Sequence, residues 1–306
     1  YYTTLEQESL LHITGPDSAT FLQGQTSCDT RQLDASTALP GIYCTPQGRV
    51  VCDFMLCQAA ENHCLLRMRR DIRHRACETL GKYIIFSKAE LSETDDWQLR
   101  ACWGSGAADS LARVFGAAPA GRYGSLRGDG FLLVQVDDEA RQFECYLRDD
   151  GAAAWSEQLA DGAQRADENS WRSLQLRNGV ARIEAATVEE FIPQMLNYDL
   201  TGHINFNKGC YTGQEVVARL HYRGKSKRRM YLASSAAGPA PAGTALHSPA
   251  AQQSVGNVVN SASGEDGRGL ALVVATAEGH SAGLHLESAD GPLLTPEDLP
   301  YSLPTE

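Results

Sequence analysis

Eight consecutive residues, Lys208-Gly209-Cys210-Tyr211-Thr212-Gly213-Gln214-Glu215, bring a cation, a thiol, an aromatic ring, an amide and a carboxylate into one short stretch. Thr212 to Glu215 match the S/T-x-x-E capping box, and Val216, Val217 and Leu220 supply the apolar stripe of the helix it would open. Cys210 is therefore expected immediately before a helix N-terminus. Unpaired N–H groups and the macrodipole there favour negative charge, so a thiolate or a bound anion would be stabilised, with Lys208 two residues away. Capping alone accounts for Thr212, Gly213 and Glu215, and Glu215 with Arg219 is an i,i+4 pair of opposite charge. It gives no reason for Lys208, Cys210, Tyr211 and Gln214 to cluster. A reactive group, a ring, an amide and a cation together suit a planar polar heterocycle with a charged tail.

The elements that must position this stretch are legible as periodic runs. Pro16-Asp17 precede a short helix at Ser18. Ile42-Tyr43-Cys44, the run Val50 to Gln58 and Cys64 to Met68 read as three antiparallel strands, separated by Pro46-Gln47-Gly48 and Glu61-Asn62 turns. Asp71 caps a helix with Ile72, Ala76 and Leu80 on one face, Gly81 ends it, and Tyr83-Ile84-Ile85-Phe86 follows as a strand. A second lobe runs from a strand at Trp97–Trp103 through a helix at Ala107–Phe115 and a hairpin of Phe131–Val136 with Phe143–Leu147 to a helix near Ala152–Leu159. That order is a ferredoxin-like split β-α-β layout. After Met230 short strands at Tyr231–Ala233, Ser254–Val259, Leu270–Val274 and Leu284–Leu286, separated by Gly, Pro and Ser, predict a small antiparallel β-barrel. The expected class is α+β. Its divisions are a first lobe over 1–95, a second over 96–169, a barrel over 226–306, and the segment 170–225 packing between lobes and carrying the signature.

Composition limits the function classes. With 42% hydrophobic and 21% charged residues over 306 positions, and no apolar run near the ~18 residues of a membrane span, the chain reads as an ordinary soluble protein. Tyr1 to Glu6 lack the basic start and apolar core of a signal peptide. Nine cysteines without a C-x-x-C pair fit reduced thiols of a cytoplasmic protein, most of them core packing, and point to no metal site. A formal charge of −11 argues against a nucleic-acid-binding surface. The basic run Arg223 to Arg229, with Tyr222 beside it, reads as a solvated linker, or as a local RNA-binding patch.

The string Lys208 to Arg219 resembles the K-G-C-[FY]-x-G-Q-E signature of the YgfZ family. Gly15-Pro16-Asp17, Phe21-Leu22-Gln23-Gly24-Gln25, Pro46-Gln47-Gly48-Arg49-Val50, Phe191-Ile192-Pro193-Gln194 and Asn207 resemble that family in the same order. The resemblance implies the ring of the glycine-cleavage T-protein: two α+β lobes and a β-barrel around a folate channel. It further implies a tetrahydrofolate-binding accessory protein, monomeric and cytoplasmic, in transient contact with iron–sulfur client enzymes, tRNA-modifying ones among them. On it Cys210 is the key functional residue, Lys208 and Tyr211 are its partners, and Tyr211, Gln214, Glu215 and Arg219 serve the folate. One departure bears on reaction class. The T-protein carries adjacent acids in the strand after its Gly-rich turn, whereas that strand reads Gly48-Arg49-Val50-Val51-Cys52-Asp53-Phe54 here. A folate-dependent aminomethyl transferase using Asp53 or Glu215 is the alternative this puts in doubt.

Overall fold

A computed structural model of the protein describes residues 1–264 and 267–304. Two compact units divide the chain. The first holds Tyr1–Ile42, Asp53–Glu168 and Asn207–Tyr211; the second holds Tyr43–Cys52, Asn169–Phe206 and the chain from Thr212 onward.

In chain order the elements up to residue 160 are β1 (Tyr2–Thr4), β2 (Glu8–Thr14), α1 (Ser18–Gln25), β3 (Leu39–Cys44), β4 (Val50–Ala60), β5 (His63–Arg69), α2 (Arg70–Ile84), β6 (Glu90–Ser92), β7 (Trp97–Trp103), α3 (Ala107–Phe115), β8 (Ser125–Gly128), β9 (Phe131–Gln135), β10 (Gln142–Arg148) and α4 (Asp149–Ala160). They form two five-stranded sheets, ordered β3-β4-β5-β2-β6 and β1-β7-β10-β9-β8. The three strands read from the apolar runs are β3, β4 and β5. Every residue of β4 from Val50 to Cys57 is buried, because this strand has both faces covered and so reads as a continuous apolar run rather than an alternation. The second sheet is antiparallel throughout. Phe143, Cys145 and Leu147 of β10 share one face and pack on Ala107 and Leu111 of α3 and Ala152 and Leu159 of α4. β1 pairs with β7, so the first strand of the chain belongs to the second sheet.

The opposite face of β10 carries Glu144 and Tyr146, both buried. Arg67 of β5 reaches Glu144 at 2.8 Å through Nη2 and again at 2.8 Å through Nε, with Glu8 of β2 at 3.6 Å and the Tyr146 hydroxyl donating to Glu144 at 2.6 Å. This closed network ties one sheet to the other. Burial pushes the Tyr146 phenol well up, with Glu144 adding to it, and so keeps it a donor.

The expectations for the helix at Asp71 hold only in part. Ile72, Ala76 and Leu80 are the buried face of α2 as the spacing requires, but the helix runs through Gly81 to Ile84, Asp71 makes no cap, and Tyr83–Phe86 is not a strand. Ile85 and Phe86 are exposed, because the pairing edge of β2 is taken by β6, with Ile13 opposite Leu91. At Ser18, Asp17 occupies the N-cap without a capping bond; its carboxylate accepts the Lys88 amide instead, at 2.8 Å.

The remaining elements are α5 (Glu168–Arg177), α6 (Gln214–Arg223), β11 (Arg228–Ser235), β12 (Ala245–Ser248), β13 (Ala251–Ser263), β14 (Gly269–Thr276), α7 (Ala277–Ala282), β15 (His285–Leu286) and β16 (Leu294–Glu297). The six strands order as β15-β12-β13-β14-β11-β16 and curl into a half-barrel. Its core holds Leu246, Val258, Val273, Ala275 and Leu286. β12, β16 and α7 carry no periodic signal long enough to read from sequence. Residues 265, 266, 305 and 306, inside the span expected for the barrel, lie outside the described residues.

Candidate functional site

The signature splits between the two units at Tyr211–Thr212. In the first unit Lys208 and Tyr211 are buried, while Gly209 and Cys210 between them are exposed. Lys208 Nζ donates to the carbonyl of Gln23 at 2.7 Å and to that of Thr26, and lies 5.0 Å from the centroid of the Tyr211 ring. Those carbonyls close α1, which has no basic residue in its last turn. The last carbonyls of a helix lack intrahelical partners and carry its negative dipole end, so a cation brought from 185 residues away satisfies both needs. The ammonium–ring contact adds a cation–π attraction.

Around this anchor the 23–31 loop is closely tied. The Gln23 side chain donates to Asp29 at 3.0 Å and accepts from the Thr30 amide at 2.7 Å, and Arg31 grips Asp29 at 2.7 and 2.8 Å. The Arg31 hydrogen bonds hold the Asp29 carboxyl down at about 2. Burial pulls Lys208 down to about 8, against the attraction of Cys28 and Asp29. Burial likewise pushes the Cys28 thiol up to about 11, with the Thr26 hydroxyl and Lys208 opposing it. The thiol that Lys208 addresses is thus Cys28, sealed in the core, and its charge is spent on α1. Gln23, Thr26, Cys28 and Asp29 were not marked as site residues by the spacing of the signature. The available signal was a helix whose last turn lacks a cation.

Gly209 and Cys210 form an arch between two buried anchors. A Cβ on Gly209 would meet nothing within 4 Å, so the arch stands clear of its surroundings. Cys210 is exposed, whereas Cys77 is half-buried and the other cysteines are buried. Cys52 and Asp53 are both sealed within β4, at 0% and 2% exposure.

In the second unit the helix begins one residue later than a capping box would place it. Its N-cap is Gly213, at φ 82°, and no side chain caps it. A Cβ there would lie 2.5 Å from the Thr45 carbonyl oxygen, and one on Gly48, at φ 73°, would lie 2.8 Å from Cβ of Val216. Close approach of the Thr45–Gly48 turn selects glycine at both places and sets where α6 starts. Cys210 consequently precedes the first helical residue, Gln214, by four positions rather than standing at the cap. Gln214 is half-buried; Glu215 and Arg219 are exposed and, against expectation, make no ion pair with each other or with any described residue. Val217 is buried, and its carbonyl accepts from the Gln194 side chain at 2.8 Å. Among the described residues no group of three or more His, Cys, Asp or Glu is placed to hold a metal ion, and no helix is long and apolar enough to cross a membrane.

Comparison with known proteins gives a consistent result. No family model matches the chain. The structure of glycine cleavage system aminomethyltransferase T from Bartonella henselae superposes with a TM-score of 0.78 over 98% of this chain and 85% of that one, at 16% identity, which establishes the fold. The tRNA-modifying protein YgfZ of Pectobacterium atrosepticum is 32% identical over 238 residues, 78% of this chain and 71% of the relative. Its counterpart in Escherichia coli O157:H7 is 30% identical over 303 residues, 98% of this chain and 93% of the relative. Identity at this level along nearly the whole length, on the T-protein fold and with the signature in place, means that the chain belongs to the YgfZ family.

Proposed function

We propose that the protein is a tetrahydrofolate-binding accessory factor that supports the assembly or repair of iron–sulfur clusters in client enzymes, tRNA-modifying ones among them. The observation that carries this reading is the arch at Gly209-Cys210: one exposed thiol held between a buried ammonium and a buried ring. The relatives' name, tRNA-modifying protein, supports the client class. The T-protein-like fold supports the folate.

The residues fit such a ligand in part. Glu215 and Arg219 are exposed charges one turn apart with no ion-pair partner among the described residues, so both are available to a ligand with N–H donors and a carboxylate tail. Gln214 adds an amide. Tyr211 is buried beneath Lys208 and serves as an anchor of the arch rather than as an open stacking surface. When bound, the folate supplies one-carbon and redox chemistry; the chain holds it and presents the thiol. A cluster needs about four ligands, so Cys210 serves as one ligand, nucleophile or redox group acting jointly with the client. We further infer a monomer working in the cytoplasm through transient contacts. Aminomethyl transfer is the weaker reading, because a buried thiol stands where a second acid would be needed at Cys52.

The test is a calorimetric titration of the intact protein with tetrahydrofolate, beside Cys210→Ala and Glu215→Gln/Arg219→Ala variants. Saturable binding that survives Cys210→Ala and weakens by about tenfold in the double variant is expected, from the loss of charge-assisted hydrogen bonds. Absence of binding by the intact protein would overturn the folate reading.

A further inference from the structure

A concave site lies wholly within the second unit. It is a cavity of about 460 Å³ at the C-terminal end of α6, within the range of cavities that hold small organic ligands. Its wall is chemically mixed. Leu220 of α6 and Leu200 supply apolar surface, and Lys225 and Lys227 stand on the segment leading to β11. Both lysines are exposed and have no carboxylate partner among the described residues. A third cation, Arg229, is already spent: it makes a two-pronged pair with Asp199 at 2.7 and 3.0 Å and donates to the Gln194 carbonyl at 2.9 Å. The lining therefore keeps the charge of two free ammonium groups.

Two aromatic rings also line the cavity, each backed by a stacked partner. His221 lies on Phe206 at 3.7 Å between centroids and 15° between planes, and Tyr231 lies on His280 at 3.8 Å and 9°. A ring braced from behind is a preorganised surface for another planar group. Gln194 contributes to the wall as well. It is 2% exposed, its Nε2 is committed to Val217, and its Oε1 has no hydrogen-bond partner among the described residues. A buried acceptor left unpaired is costly, so a ligand bringing an N–H to this oxygen recovers that cost.

Free ammonium groups, backed rings and an unpaired amide oxygen together describe a ligand with a planar face, an N–H donor and an anionic group. We propose that this cavity is a nucleotide-binding site, taking the base against its apolar and aromatic wall and the phosphate at Lys225 and Lys227. The nucleotide is either free or an unpaired nucleotide of an RNA strand. The overall charge of −11 disfavours broad binding of duplexes but not the seating of a single nucleotide beside two lysines. The proposal is independent of the folate reading, since none of its cations belongs to the signature.

The experiment uses the full chain and Lys225→Glu/Lys227→Glu, a pair of exposed positions whose folding is checked by circular dichroism. AMP, adenosine, inorganic phosphate, penta-γ-glutamate and a short oligoadenylate are titrated in parallel. Saturable binding of AMP or of the oligonucleotide, weaker by about tenfold or more for adenosine and for the double variant, is expected. Tighter binding of AMP assigns the site to a free nucleotide, and tighter binding of the oligonucleotide to an RNA strand. The proposal is overturned if neither binds, if binding is unchanged in the double variant, if phosphate or penta-γ-glutamate binds as tightly as AMP, or if tetrahydrofolate displaces AMP through the same two lysines.

Discussion

Lys208 shows how a residue two positions from a thiol comes to serve something else. Its ammonium closes α1 and sits by the buried Cys28, while Cys210 is displayed beyond it. The lowered pKa makes a signed prediction. A lysine that titrates at about 8 folded and at its ordinary 10.5 unfolded leaves the unfolded state holding more protons between those values, so stability rises with pH across that window. Well below pH 8 the lysine's burial costs a constant amount, on the order of 3 kcal/mol for a shift from 10.5 to about 8. Urea unfolding of the native protein and of Lys208→Met, followed from about 8 to 10.5 on the pH scale (the folded and unfolded values), is expected to show the native protein gaining on the variant as pH rises. Parallel profiles would mean that the carbonyls of Gln23 and Thr26 keep the ammonium charged throughout.

At the scale of elements, the placement of α6 depends on two glycines in contact with a turn. Gly213 is left-handed and pressed against the Thr45 carbonyl, so Gly213→Ala is expected to destabilise by about 1–3 kcal/mol through strain and clash. Gly209→Ala, in open space earlier in the signature, is expected to change stability by less than about 0.5 kcal/mol. Chemical denaturation of the two variants side by side checks this; equal losses would mean that the arch is as constrained as the cap. The sequence marked Gly213 only as a member of a capping box, because Thr212 and Glu215 have the right types and spacing. What moved the helix start by one residue was the Thr45–Gly48 turn, distant in sequence and close in space. The same contrast explains α2: Ile72, Ala76 and Leu80 were legible from their period, whereas the end of the helix and the fate of Tyr83–Phe86 depended on β6 occupying the edge of β2.

At the scale of the molecule, the first unit is tied through charge as well as through apolar packing. Arg67, Glu144, Glu8 and Tyr146 are buried together between its two sheets. Removing one partner strands the other, so Arg67→Met is expected to cost about 3–5 kcal/mol, while Arg67→Met/Glu144→Leu is expected to recover part of that loss. Unfolding free energies of the two single variants and the double variant, read as a cycle, test this; additive losses would show that the pair is not coupled. None of these charges stood out in the sequence, since an arginine in a strand looks the same whether its partner is water or a glutamate seventy-seven residues away.

The chain by itself determined the periodic elements, the α+β class and the signature, because helix and strand periods and a contiguous motif are written within a few residues of each other. The tertiary structure alone decided that Lys208 closes α1, that Glu215 and Arg219 make no ion pair among the described residues, that α6 begins after Gly213, and that Gln194, Lys225 and Tyr231 line one cavity. Each of these depends on groups brought together across long stretches of chain. Their relative positions are fixed by packing, which no local pattern encodes.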